Sequence, residues 1–220
     1  MNLRESLWIR ERLARIPDAD LFPVLDVGSS TLDYRTRVQP WIDENLFAPL
    51  RARGGKVIHA DVKQAPGIDL VVDLLDPGDR ARLRSLAPRA ALVCNVLEHL
   101  PERGPLARAV VDLLPPGGHV VVTGPYRYPR HDDPVDTMFR PTPEEVAREF
   151  PGTRLLEGAV IDSGNWREWS PGERGRSLGR FLARMCLPLH RPAEWARLVP
   201  HVPYLFRHMK AYAAVLRKTA

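Results

Sequence analysis

Short runs of consecutive apolar residues alternate along the chain with stretches whose apolar positions recur every three or four residues. That alternation predicts buried strands covered by helices. An opening helix is expected over Leu3–Ile16, where Ile9, Leu13 and Ile16 share a face and Pro17 stops it. The strand-like runs are PVLDVG (Pro23–Gly28), KVIHAD (Lys56–Asp61), IDLVVD (Ile68–Asp73), ALVCNV (Ala91–Val96), HVVVTGP (His119–Pro125), RLLEGAVI (Arg154–Ile161) and AYAAVLRK (Ala211–Lys218). Between the first two, QPWIDENLFAPLRARGG reads as a helix that Pro40 opens. Asp43 and Glu44 suit its first turn, Arg51 and Arg53 its last, and Gly54–Gly55 end it. A short helix is expected over Gly78–Leu86, and Leu106, Val110 and Leu113 mark an amphipathic one closed by Pro115–Gly118. Thr142 with Glu145 three residues on has the form of a capped helix start.

Strands that are apolar throughout, separated by helices, indicate an α/β fold: a doubly wound, seven-stranded, mostly parallel sheet. Ligands in such sheets lie outside the carboxyl ends of the strands, at the topological switch point. The first three strand ends each carry a carboxylate: Asp26, Asp61 and Asp73. After the first strand, Gly28, Ser29 and Ser30 let the backbone approach a ligand, and Asp26 can orient that loop or accept from an ammonium group. Asp61, closing the second strand, stands where this architecture places an acid for ribose hydroxyls. Asp73, closing the third, could accept from an adenine amino group, with Leu74 and Leu75 against the ring. Asn95 and Val96 close the fourth strand over the opposite face.

Residues 21–161 and the last strand resemble the class I S-adenosylmethionine-dependent methyltransferases, in their small branch with one Rossmann-like domain. The most specific piece is ALVCNVLEHLPERGPLARAVVDLLPPGGHVVVTGP, with VLDVGSS matching the first motif. The resemblance implies S-adenosyl-L-methionine as cofactor, with Asp26, Gly28 and Ser30 on its aminocarboxypropyl group. Asp61 would take the ribose, Asp73 the adenine, and Asn95 the inner face. The loop GSSTLDYR departs from the family by carrying a single glycine, so Tyr34 and Arg35 are candidates to replace contacts that glycines permit, with Arg35 pairing the cofactor carboxylate. A nicotinamide oxidoreductase is disfavoured: GxGxxG is absent, and an acid beside the first glycine would repel a diphosphate.

Composition refines this picture. With 44% hydrophobic and 27% charged residues in 220, the chain has material for one α/β domain with an appendage. Two cysteines exclude a disulfide framework, and the charged N-terminal stretch reads as neither a signal peptide nor a span, so a cytoplasmic protein is expected. The net charge of +5 is uneven: residues 171–220 hold ten Lys and Arg against Glu173 and Glu194. That basic quarter suits an anionic small-molecule acceptor or a membrane surface; nucleic acid is not expected as partner.

A hydroxyl acceptor needs its proton removed near the fourth or fifth strand end, and His99 and His131 are the catalytic candidates. Asp132 or Asp133 could orient His131, while Asp136 and Arg140 offer an internal pair in the same loop, which Pro129, Pro134 and Pro141 stiffen. A similar loop occurs in bacterial methyltransferases of saccharide and secondary-metabolite pathways, which implies an O-methyltransferase. Glu98, His99 and His131 together resemble part of the metal site of small-RNA terminal 2′-O-methyltransferases. Asn95 replaces the first acid of that Glu-x-x-Glu-His cluster, so no metal is expected and the RNA enzyme is the alternative. A non-catalytic interaction module on the same fold is another. The expected organisation is an N-terminal helix (1–20), a cofactor-binding domain (21–161 with 210–220) and a helical insertion (162–209) covering the acceptor pocket. In that insertion Trp166 and Trp169 would give apolar contact, and Arg176, Arg180 and Arg184 would line one face of a helix.

Overall fold

A computed structural model describes residues 1–131, 135–165, 195–196 and 199–220. One sheet holds β1 (Val24–Val27), β2 (Val57–Asp61), β3 (Leu70–Val71), β4 (Ala90–Cys94), β5 (His119–Arg127), β6 (Thr153–Gly164) and β7 (Met209–Lys218), in the order β3-β2-β1-β4-β5-β7-β6. The first five strands of that order run parallel; β7 is antiparallel to both β5 and β6. The chain winds outward from β1 through β2 to β3 and then returns to lay β4 on the other side of β1. The switch point therefore falls between the carboxyl ends of β1 and β4.

Helices α1 (Leu3–Arg15), α2 (Asp18–Leu21), α3 (Ala48–Ala52), α4 (Pro77–Ser85), α5 (Gly104–Leu113) and α6 (Pro143–Glu149) clothe the sheet. Successive strand residues face opposite ways, so each central strand feeds two cores. Leu92 and Val121 join Ile9 and Leu13 of α1 together with Trp41, Leu46 and Leu50; Val93 and Val122 join Ala107, Val110 and Val111 of α5. This double coverage is why β1, β4 and most of β5 are apolar without alternation. The edge strand β6 has one covered face, and its burial alternates residue by residue.

Several boundaries differ from the sequence expectation. The third strand pairs only through Leu70–Val71, so Asp73 stands beyond the ladder rather than at its end. The Pro40–Gly55 helix contains a widened π-turn, Asp43–Phe47, directly before Pro49. Pro49 has no N–H to donate and its ring would crowd the carbonyl four residues back, which a wider turn relieves. Tyr34–Val38, expected as loop, is a second π-turn. The expected cap forms, Thr142 with Glu145 on α6, and a second outside the sequence expectations, Asn2 with Glu5, opens α1. Asp132, Asp133 and most of the expected insertion, including Trp166, Trp169 and the helix bearing Arg176, Arg180 and Arg184, lie outside the described residues. Among the described residues, no helix is long and apolar enough to cross a membrane.

Candidate functional site

A cleft of about 660 Å³ opens at the switch point. Its floor is the turn after β1. The amides of Gly28 and Ser29 both donate to the Ala60 carbonyl, at 2.9 and 3.1 Å. Gly28 has φ +68°, and a Cβ there would stand 2.8 Å from Val96 Cγ2, so the turn bears directly on the residue after β4. Asp61 then joins the first loop to the second: one carboxylate oxygen accepts from the Ser30 amide at 2.9 Å, the other from the Lys63 amide at 3.0 Å.

Arg35 braces the same loops from beneath. It is buried, and its guanidinium donates to the carbonyls of Ser29 (2.8 Å), Ser30 (2.9 Å) and Gly67 (2.6 Å) while facing the Phe47 ring. Burial lowers its pKa, and Asp26 and Asp69 oppose that. Its donors go to backbone carbonyls, where the sequence reading has them on a ligand carboxylate. Asp26 is likewise engaged: its carboxylate lies 2.8 Å from His59 Nδ1, and the His59 ring stands edge-on to Phe47. Asp26 and His59 are register partners across β1 and β2.

On the β4 side, Asn95 adopts φ +55° and donates from Nδ2 to Glu5 Oε1 at 2.7 Å. Thr123 Oγ1 donates to the same oxygen, while Glu5 Oε2 accepts from the backbone and side chain of Asn2. A buried carboxylate on α1 thus ties the N-terminal helix to the ends of β4 and β5. Sequence reasoning missed Glu5, His59 and the clamp role of Arg35. The Asn-x-x-Glu spacing of a capping box was the available signal for Glu5.

The far wall follows β4 and β5. Glu98, in the 3₁₀ turn Leu97–His99, is 1% exposed, and its Oε2 has no hydrogen-bond partner. Burial pushes its carboxyl up to about 7, against its own backbone hydrogen bond and the charge of His99. His99 Nδ1 lies 2.6 Å from the Val135 carbonyl, and its Nε2 lies 3.9 Å from Glu98 Oε1. His131 packs edge-on against His99 and Tyr128, with Nδ1 at 3.1 Å from Asp136 Oδ2 but not aligned as a hydrogen bond. Burial lowers the His131 pKa, outweighing the nearby Asp136 carboxylate, so the ring is neutral at pH 7. Asp136 is itself buried, which alone would raise its pKa. Two bonds from Arg140 (3.0 and 2.6 Å) and the amides of His131 and Met138 overcome that and hold it at about 2. Burial raises the Tyr128 phenol to about 12, so it remains a donor.

No protein-family model and no curated protein matches the sequence. Solved structures do. The 4+2 cyclase SpnF aligns with a TM-score of 0.53 at 18% identity, over 97% of this chain and 81% of that one. Coclaurine N-methyltransferase, bound to N-methylheliamine and S-adenosylhomocysteine, gives 0.51 at 15%, over 98% and 72%. The MccD protein gives 0.55 at 12%, over 98% and 97%. The fold is that of the class I S-adenosylmethionine-dependent methyltransferases. On this methyltransferase fold, Asp26, Gly28, Ser29, Ser30, Arg35, Asp61, Asn95 and Val96 all line the cleft, and so do His99 and His131. Asp73 and Leu74 do not. Asp73 is exposed and accepts from the Leu75 amide at 2.8 Å, and Leu74 belongs to the core on the α5 side.

Proposed function

We propose that the chain is an S-adenosylmethionine-dependent methyltransferase acting on a small-molecule hydroxyl, of saccharide or secondary-metabolite type. The observation that carries this is the acidic lining of the switch-point cleft. Glu5, Asp26, Asp61 and Glu98 face it, against Lys63 and an Arg35 whose donors serve backbone carbonyls. Such a lining repels a diphosphate and suits a ligand carrying an ammonium and a sulfonium. The cleft volume is within the usual range for cofactor sites, ~300–1,000 Å³. The Gly28–Val96 approach leaves no room for a Cβ in its floor. Each Asp61 oxygen accepts one hydrogen bond from a backbone amide and keeps a further lone pair for a ribose diol. Asp26 and the Gly28–Ser30 turn would hold the amino-acid half, and Asn95 and Val96 the inner face.

When bound, S-adenosylmethionine supplies an electrophilic methyl carbon, leaving as the neutral thioether S-adenosylhomocysteine while the hydroxyl gives up a proton. The chain's own task is alignment, exclusion of water and assistance to that proton. Glu98, His99 and His131 set lone pairs along the acceptor side of the cleft, and the neutral His131 ring keeps one available at pH 7. The basic 171–220 stretch favours an acceptor with an acidic or phosphorylated group.

SpnF is named for a cyclisation, so this fold alone does not name a reaction, and the test reads binding and transfer separately. S-adenosylhomocysteine at ~100 times its Kd should stabilise the protein by about 2.7 kcal/mol. For a chain this long that raises Tm by roughly 5–11 °C. Transfer of labelled methyl to a panel of hydroxylated acceptors then reads the chemistry. Absence of any Tm shift at about 1 mM ligand, the top of the usual KM range, refutes the cofactor reading.

A further inference from the structure

Two loops at the carboxyl ends of the neighbouring strands β4 and β5 bring a carboxylate and two imidazoles together on the acceptor side of the cleft. One ligand atom from each of Glu98, His99 and His131 lies within 4.8 Å of the others. We propose that these three residues bind one divalent cation of the borderline first-row class, such as zinc or cobalt. The inference rests on the methyltransferase reading only for the acceptor that the bound cation would meet.

Three observations support it. Glu98 is 1% exposed, yet its Oε2 is unpartnered. A buried carboxylate oxygen without a donor is costly, and a cation is the partner that removes the cost. The His99 ring does not serve, because 3.9 Å from Nε2 to Glu98 Oε1 is too long for a hydrogen bond. Next, His99 is held from outside the cluster, and His131 stands against a fixed carboxylate without a hydrogen bond to it. The Val135 carbonyl, an acceptor only, fixes the proton of His99 on Nδ1 and leaves the Nε2 lone pair free. His131 has Nδ1 beside Asp136, which Arg140 and two amides fix in place. Carbonyls and carboxylates behind histidines are the usual means of orienting imidazole ligands toward a metal. Finally, all three residues line the cleft, so coordination positions not filled by protein face the space for an acceptor. Three protein ligands with an open position is the composition of catalytic metal sites, where the cation makes a bound hydroxyl more acidic.

Ligands around such an ion at ~2.0–2.2 Å stand about 3–3.5 Å apart, so the side chains need to close by an ångström or so. Two nitrogen donors argue against magnesium, which takes oxygen ligands. Asn95 is no fourth ligand, because its side chain is bonded to Glu5.

The test uses the full chain, stripped with chelator and titrated calorimetrically with Zn²⁺ and Co²⁺, with visible absorption followed for Co²⁺. One equivalent per chain is expected, with cobalt ligand-field bands and a metal-dependent rise in Tm. Each of Glu98→Gln, His99→Gln and His131→Gln should weaken binding tenfold or more, while S-adenosylhomocysteine affinity stays within a few-fold. His208→Ala, at a half-buried histidine paired with Asp162, should leave metal binding unchanged. Glu98→Gln is nearly isosteric, so a folded variant is available even if a histidine variant fails to fold. No binding up to about 1 mM metal overturns the site, as does binding that survives Glu98→Gln at full affinity. Metal binding without S-adenosylhomocysteine binding would sink the methyltransferase reading and keep this site; the converse would sink the site alone.

Discussion

Replacing Gly28 by alanine adds one carbon at the floor of the cleft, and its effect can be worked from two terms. Gly28 has φ +68°, a conformation that costs an L-residue roughly 1–2 kcal/mol. The new Cβ would also stand 2.8 Å from Val96 Cγ2, with Val96 Cγ1 and Cβ at 3.8 and 3.9 Å. The short contact falls on the end of a branched side chain, so rotation or a small shift of Val96 relieves it for about 1–3 kcal/mol, as for an overpacked core. The sum is about 2–5 kcal/mol, a Tm lower by roughly 4–20 °C for a chain of this length. Because the turn carries the Ser29 and Ser30 amides, S-adenosylhomocysteine affinity should fall with it. A double-mutant cycle separates the terms: adding Val96→Ala removes the collision but not the backbone strain, so the pair should recover about 1–3 kcal/mol relative to simple additivity. Chemical denaturation gives the stabilities and calorimetry the affinities. A Gly28→Ala variant within about 1 °C of the parent, or a Val96→Ala change that adds its full cost instead of compensating, would refute the account of this turn.

Asp61→Ala removes the acceptor of the Ser30 and Lys63 amides and the proposed ribose contact. It should weaken S-adenosylhomocysteine binding roughly tenfold or more, and parental affinity by calorimetry would remove Asp61 from the site. Glu5→Ala leaves the Asn95 and Thr123 donors without their acceptor and breaks the α1 capping box. A destabilisation of about 2–4 kcal/mol is expected by denaturant unfolding, and a change under ~0.5 would show the carboxylate to be peripheral. Burial, with Glu5 adding to it, raises the Cys94 thiol far above its ordinary range. Cys94 is half-buried and lines the cleft, yet its peptide-mapped alkylation in the native protein should stay slow even at pH 9, where an ordinary thiol of pKa ~8.5 is mostly thiolate; rapid labelling there would contradict the raised pKa.

What could be read from the sequence was whatever depends on local pattern. Apolar runs locate all seven strands because central strands covered on both faces need no polar positions. The Thr142–Glu145 spacing locates a helix start because capping is a contact within four residues. The errors share one cause: they depend on a partner distant in sequence. Asp73 was placed at a strand end, but the ladder stops at Val71, so the acid belongs to the following turn. GSSTLDYR has no apolar period and reads as loop. Its folded form rests on Arg35 reaching the Gly67 carbonyl 32 residues away. The Asp26–His59 pair exists only in the observed β1–β2 register, which the sequence does not carry. Glu5 looks like an ordinary solvent-facing cap until the fold sets Asn95 and Thr123 against its other oxygen. The two histidines were legible as candidates because they follow strands β4 and β5, and their grouping with Glu98 followed from the resemblance to the RNA methyltransferases; the distances between them came only with the fold.

The two halves of the cleft are built on opposite principles, and the contrast bears on where chemistry occurs. Around the β1 and β2 ends, three charged groups are matched within the protein: Asp61 on two amides, Arg35 on three carbonyls, Asp26 on His59. Such bracing fixes a binding surface and leaves little to react. Around the β4 and β5 ends, the Asp136–Arg140 pair is equally well matched, but it supports groups that are not: Glu98 Oε2 and His131 Nδ1 are buried without hydrogen-bond partners. Backbone strain gathers at the same end of the sheet. Among the described residues, four non-glycine positions have positive φ. Ser30 and Asn95 line the cleft, and Met138 sits in the loop of Asp136; only Ala87 lies elsewhere. Strained backbone and unmatched buried lone pairs both lower stability, and a sequence selected for folding alone would avoid them. Their concentration along the cleft supports the proposed division of labour, in which the reacting groups would stand on the β4–β5 wall and the β1–β2 loops would hold the cofactor against it.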